Sequence, residues 1–199
     1  MTEGIELSHD QGTVDFHKLR NADITFVMIR AGAGTCTPDP NFDQNVAGAK
    51  AAGMNWGAYH CFGGKTVPHA LAEAEFFLSR LQGKHPTFPV ALSLEEPSLL
   101  LAGKESLTDA AVAFLSKVQS AGYYPMVYAS PHWLTDYLDF QKLRRFDIWL
   151  AQQGPAITFQ EAPVGLWQYT SAGRVNGIDG DVGRSRAFKD YPAVIRGGK

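Results

Sequence analysis

Strand-length apolar runs alternate with helix-period stretches five times along this chain, and then the helices stop. The runs are GIELS (4–8), TFVMIRAG (25–32), NWGAYHCF (55–62), FPVALSLEE (88–96) and YPMVYAS (124–130). Between them lie helical patterns over 14–22, 41–53, 67–83, 106–122 and 131–138. In the third, Ala70, Leu71, Ala74, Phe77, Leu78 and Leu81 recur at helical spacing. In the fourth, Leu107, Ala111, Phe114, Leu115 and Val118 do the same. Gly53, Gly83 and Gly122 mark the stops of the three long patterns. Ser130-Pro131 reads as an N-cap followed by proline in the first turn. Beyond residue 145 the strand-like runs FDIWLAQQ (146–153), VGLWQYT (164–170) and a stretch near GDVG (180–183) follow with little helical sequence between them.

Near-continuous apolar strands separated by amphipathic helices imply a parallel sheet covered by helices. Eight strands suffice to close a barrel. The sequence therefore predicts an α/β fold: an irregular, TIM-like β/α barrel of five β/α units followed by three further strands, in one domain over 1–199. An open doubly wound sheet is the alternative. SHDQG, after the first strand, lacks the glycine-rich turn such a sheet uses for phosphates.

The net charge of −2, with lysines and arginines scattered, argues against a nucleic-acid partner. No stretch reaches the roughly 20 apolar residues that span a bilayer, so no membrane partner is expected. MTEGIELSH has no basic, apolar and small-residue signal pattern, so no signal peptide is expected in this chain. The two cysteines, Cys36 and Cys61, are too few for a disulfide framework and read as buried or half-buried thiols. No cofactor is called for, and a monomer is expected.

In a β/α barrel the functional groups gather where parallel strands end. Those ends here offer Glu6, Ser8, His9, Asp10, Arg30, Tyr59, His60, Cys61, Ser93, Glu95, Tyr128, Ser130, Gln152, Trp167, Gln168, Tyr169, Asp179 and Asp181. Ser93 and Glu95 are two apart and share a strand face, while Glu96 turns the other way. Aromatic faces stack on sugar rings and carboxylates bond hydroxyls, so the set suggests a carbohydrate cleft. Taken singly, each is as readily a strand-end residue capping backbone groups.

GIELSHDQGTVDFHKL, FVMIRAGAGTCTPDPNFDQNVAGAKAAGMNWGAYH, PVALSLEE, GYYPMVYAS, FDIWLAQ, LWQYTSAGRVNGIDGDV and KDYP follow one another in this order. Together they resemble glycoside hydrolase family 25, muramidases that cut the MurNAc–GlcNAc β-1,4 bond of bacterial cell walls. The resemblance covers essentially the whole chain. It implies the same irregular barrel, a peptidoglycan partner, and an extracellular or cell-wall location. It puts Glu95 at the general acid of the family's D-x-E pair. Tyr59, His60, Tyr128, Gln152, Trp167, Gln168 and Asp181 are expected to bind substrate.

Three of the family's four acidic positions are altered. The first-strand aspartate falls on Glu6, one methylene longer; the aspartate of D-x-E falls on Ser93; that near the C-terminal end falls on Gly183. A serine supplies a hydrogen bond but no charge for an oxocarbenium-like centre. Weakened or lost turnover is thus expected, and a non-catalytic wall-glycan-binding protein is the alternative. Rescue by a displaced carboxylate (Glu6, Asp10, Asp179, Asp181 or the adjacent, outward-turned Glu96) stays open, as does Ser93 acting with His60. No metal site is expected, although His9, His60, Cys61, Glu95 and Cys36 could form one if they converged.

Overall fold

The computed structural model describes residues 1–197. Nine strands form one sheet: β1 (Thr2–Leu7), β2 (Ile24–Ala33), β3 (Thr37–Pro38), β4 (Asn55–Cys61), β5 (Val90–Ser93), β6 (Pro125–Ala129), β7 (Asp147–Ala151), β8 (Leu166–Gly173) and β9 (Val182–Ala187). Eight close into a ring in the order β1-β2-β4-β5-β6-β7-β8-β9, with β9 returning to β1 and β3 paired on β2. The strands run parallel from β1 round to β8; β9 is antiparallel to both its neighbours. The expected irregular barrel is therefore present, and the reversal of β9 is its irregularity. β9 thus brings its first residues, Val182 to Arg184, to the mouth where its neighbours bring their last.

Helices α1 (Phe16–Asn21), α2 (Phe42–Ala51), α3 (Val67–Leu81), α4 (Lys104–Ser120) and α5 (Phe140–Leu143) cover the parallel part. Thr66 caps α3, with Pro68 in its first turn. Ser130 receives the Trp133 N–H at 3.4 Å, as the Ser-Pro pattern predicts, and the following turn over Trp133–Tyr137 is π-helical. The helix-facing core takes alternate strand residues, among them Ile5, Leu7, Val27, Ile29, Trp56, Ala58, Val90, Leu92, Val127, Ile148 and Leu150. The other alternation fills the barrel with Phe26, Met28, Phe88, Ala91, Met126, Trp149, Leu166 and Tyr191. Phe26 and Phe88 stack at 4.4 Å between ring centroids. A last helix, α6 (Tyr191–Gly197), sends Tyr191 into this inner cluster and plugs the end opposite the mouth. There the Tyr191 and Tyr124 hydroxyls donate to Asp147 at 3.0 and 2.9 Å.

His60 is not at the mouth, contrary to the sequence expectation. Its ring lies in the helix-facing layer, fully buried, 5.5 Å from both Phe77 and Phe114. Strand alternation is the reason: Tyr59 and Cys61 take the inner face of β4, so His60 takes the outer one. Its Nε2 lies 2.8 Å from the carboxylate of Glu73, a buried α3 residue that also accepts the Gly63 N–H at 3.2 Å. An amide in place of Glu73 would face a donor with a donor. Glu73→Gln should therefore cost about 1–3 kcal/mol, read as a fall in Tm of about 2–4 °C per kcal/mol for a chain of this size. An unchanged Tm would mean that the pair holds nothing in place.

Candidate active site

The inner alternation continues upward past the apolar filling and turns polar. Glu6 ends β1, Tyr59 and Cys61 end β4, Ser93 ends β5, Tyr128 lies on β6, Gln168 on β8, and Gly183 and Ser185 on β9. Ser93 stands in register with Cys61 on one side and Tyr128 on the other. Two residues further on, beyond the buried Leu94, Glu95 returns to the inner side. Glu96 turns outward and accepts the Ser98 N–H at 3.4 Å, capping the next turn.

A continuous polar chain crosses the mouth. Tyr128 Oη donates to Gln168 Oε1 at 3.1 Å, and Gln168 Nε2 donates to Glu6 Oε2 at 2.6 Å. On the other side, Trp149 Nε1 donates to Ser185 Oγ at 3.0 Å, and Ser185 Oγ donates to Glu6 Oε1 at 3.1 Å. Tyr59 and Tyr128 set their rings edge-on to Trp149 at 5.9 and 4.5 Å. Removal from water pushes the Glu6 carboxyl up to about 8, against the lowering effect of Gln168 and Ser185 and with the Glu95 charge adding to the rise. Desolvation also raises Glu95, with the polar Tyr128 hydroxyl as a smaller, opposing influence.

Glu6 and Gly183 fit together. A Cβ built on Gly183 would lie 2.6–2.8 Å from the Glu6 carboxyl atoms, closer than real side chains approach. The longer acid on β1 occupies the room that a side chain on β9 would take. Its burial predicts a pH effect. The unfolded chain releases this proton near 4.5, whereas the fold holds it to about 8, so stability falls as pH rises through that window. Glu6→Gln removes the dependence. Wild type and variant Tm values should run parallel below pH 4.5 and diverge in the variant's favour toward pH 8, and parallel curves throughout would count against a raised Glu6.

The rim beside β1 is organised by Asp39, which sequence reasoning missed. Its side chain, fully shielded from solvent, accepts from the His9 and Asn41 N–H groups, both at 3.0 Å, and from Arg30 Nε at 2.9 Å. Burial would raise its pKa, but these hydrogen bonds outweigh it and hold the acid below the usual range. Arg30 also contacts the His9 ring and lies 3.6 Å from Asp10. Asp10 in turn accepts from Ser8 Oγ at 2.8 Å.

Two further expected substrate residues turn away. Gln168 points inward, so Trp167 takes the outer face of β8, where its Nε1 donates to the Gln152 carbonyl at 2.7 Å and Arg186 lies over its ring. Gln152 spends its amide on the loop after β7, donating to Thr158 Oγ1 at 2.9 Å and accepting the Thr158 N–H at 3.1 Å. Asp181 is on the exposed rim, paired with Arg174 at 2.9 Å. With His60 outside the barrel, neither a Ser93–His60 couple nor the five-residue metal set converges. Cys61 is half-buried as expected, but Cys36 is exposed, in the turn leading to β3. Ser185 and Trp149 were also missed. Their signal was alternation: Gly183, Ser185 and Ala187 make one face of β9 small, which marks a close approach.

A protein-family model described as glycosyl hydrolases family 25 matches residues 5–178. The chain is 28% identical to Lysozyme M1 of Streptomyces globisporus, over 92% of this chain and 67% of that protein. It is 26% identical to the autolytic lysozyme of Clostridium acetobutylicum, over 89% of this chain and 53% of that one, so it spans about half of that relative's length. Among solved structures, the CTP1L endolysin superposes with a TM-score of 0.86 at 30% identity, over 100% of this chain and 71% of that one. No helix among the described residues is long and apolar enough to cross a membrane. With the family match running from β1 to the loop before β9, and the same barrel in a 30%-identical neighbour, the chain belongs to the glycosyl hydrolases of family 25.

Proposed function

We propose that the mouth is the site of a slow muramidase, hydrolysing the MurNAc–GlcNAc β-1,4 bond of peptidoglycan at the cell wall as a monomer. The observation that carries this reading is the pair of carboxyls, Glu6 and Glu95, facing one aromatic cleft with both pKa values raised. Glycoside hydrolysis requires a protonated acid at the leaving oxygen and an anion near the cationic centre. Glu95, at the open end of the cleft, is assigned the acid. Glu6, held by Gln168 and Ser185 and keeping its proton up to about 8, is assigned the anion through its minor ionised fraction, which is what makes the turnover slow. Tyr59 and Tyr128 are assigned the contact with the sugar. The relatives' names, lysozyme and endolysin, support the substrate class.

The uncharged Ser93 favours a second reading, a wall-glycan-binding protein without turnover. Release of reducing ends from purified walls separates the two. Wild-type release above that of Glu95→Gln supports the enzyme; equal inertness with retained muropeptide binding replaces it.

A further inference from the structure

The π-helical turn over Trp133–Tyr137 has no part in the chemistry above. It follows β6, the strand that carries Tyr128, and so stands at the mouth end of the barrel. Leu134 and Leu138 anchor it, both fully buried. Lys104, the first residue of α4, ties it down by donating from Nζ to the Thr135 carbonyl at 3.2 Å. Those contacts explain why the turn stays in place. They do not explain its outer surface.

That surface is aromatic. The His132 and Tyr137 rings meet edge-on at 4.6 Å between centroids, and Trp133 meets Tyr137 edge-on at 5.6 Å. Residues five apart share a face where a helix widens to the i→i+5 spacing, whereas at 3.6 residues per turn His132 and Tyr137 would diverge. The widened turn therefore makes the pair, and polar contacts hold it. Asp136 lies on His132 Nδ1, so that nitrogen carries the proton, and in the neutral ring Nε2 accepts the Tyr137 hydroxyl at 2.9 Å. Thr135 Oγ1 donates to the same carboxylate at 2.8 Å. Trp133 rests one side on the helix-facing core, and it and Tyr137 are only half-buried. Surface turns are ordinarily dressed in charged and small polar side chains. Two half-exposed rings, stiffened by an imidazole and edged by a carboxylate, suit a different neighbour. Ring faces take the C–H side of a pyranose, and a carboxylate accepts from its hydroxyls.

We propose that this turn is a platform for a sugar ring of the glycan strand, outside the mouth where the bond is cut. From Tyr128 to Pro131 the chain advances roughly 10 Å, a gap that a short oligosaccharide bridges. β6 pairs with β5, so the platform lies on the Glu95 side of the mouth. It adds binding and no chemistry, since a sugar held there is held alike before and during bond cleavage.

The platform takes its ligand class from the muramidase reading, and its test needs no turnover. Trp56, Trp149 and Trp167 are buried, which leaves Trp133 as the tryptophan open to iodide. A β-1,4 hexamer of N-acetylglucosamine is titrated into the protein while iodide quenching of the fluorescence is followed. The hexamer should shield the quenchable fraction saturably, and Trp133→Phe should remove that fraction. Tyr137→Ala should weaken hexamer binding by about 5–10-fold, the worth of one ring contact. His132→Ala changes an exposed residue and frees Tyr137, so it should weaken binding in the same direction even if the Tyr137 variant fails to fold. Quenching that is the same with and without the hexamer, or folded variants that bind as wild type does, would overturn the platform. Wall hydrolysis alongside an unshielded Trp133 removes the platform and leaves the hydrolase reading standing. Shielding in a protein that releases no reducing ends keeps the platform and removes the hydrolase.

Discussion

Glu95→Gln should lower the rate of reducing-end release from purified walls by about 10²–10⁴-fold, the range that positioned general acids supply. Glutamine keeps the size and one acceptor but has no proton to give to the leaving oxygen. Glu95 is an exposed residue past the end of β5, so the variant's Tm should stay within a few degrees of wild type. That separation is what makes the prediction sharp: a loss of rate with the fold intact assigns chemistry to this carboxyl. The pH profile adds a second check. The acid must be protonated, and desolvation raises Glu95, so the rate should hold at pH values where an ordinary glutamate is already ionised and fall above that. A profile falling from pH 4.5 upward, or a variant as fast as wild type, would remove Glu95 from the acid's role.

Glu6 carries a cost that runs against this activity. A carboxyl pushed up to about 8 by burial is ionised in only a minor fraction of molecules at neutral pH, and that fraction, which the fold disfavours, is the anion that the proposed reaction would draw on. The fold meets that cost elsewhere, in the doubly filled barrel and in the plug that α6 makes with Tyr191.

The barrel was legible because its evidence is periodic. Alternating runs and helical stripes report burial directly, and all five α4 positions read as the inner stripe are buried. FPVALSLEE illustrates where pattern succeeds: Ser93 and Glu95 do share the inner side, and Glu96 does turn out. The errors came from applying strand ends without alternation. His60, Trp167 and Gln152 are at the right height but on the wrong face, because Tyr59, Gln168 and Ala151 already occupy the inner one. Asp39 and Tyr191 were invisible for another reason. Each acts in part through a partner 30 or more residues away (His9 for Asp39, Asp147 for Tyr191), and no local period encodes such contacts.

Ser93 and Gly183 look like equivalent losses in the sequence, and the structure separates them. Gly183→Asp alone should harm the protein. Its Cβ would enter the space of the Glu6 carboxyl, and a second acid would face one already reluctant to ionise. Overpacking of this kind costs about 1–3 kcal/mol, and Glu6 would be driven off Gln168 and Ser185. Shortening the first acid makes room, so Glu6→Asp with Gly183→Asp should recover most of the Tm that Gly183→Asp loses. Ser93→Asp addresses a different deficit, since no other acid fills the space of that side chain. Placed in register between Cys61 and Tyr128, the new charge restores an anion on the same strand face as Glu95. Added to the double variant, Ser93→Asp should raise wall hydrolysis by about 10²–10³-fold, the value of one well-placed charge in a water-poor site. The measurements are Tm for the Glu6–Gly183 exchange and reducing-end release for Ser93. A stable, faster Gly183→Asp single variant would mean that Glu6 does not fill the place of residue 183. A triple variant no faster than wild type would mean that serine at 93 is not what limits turnover.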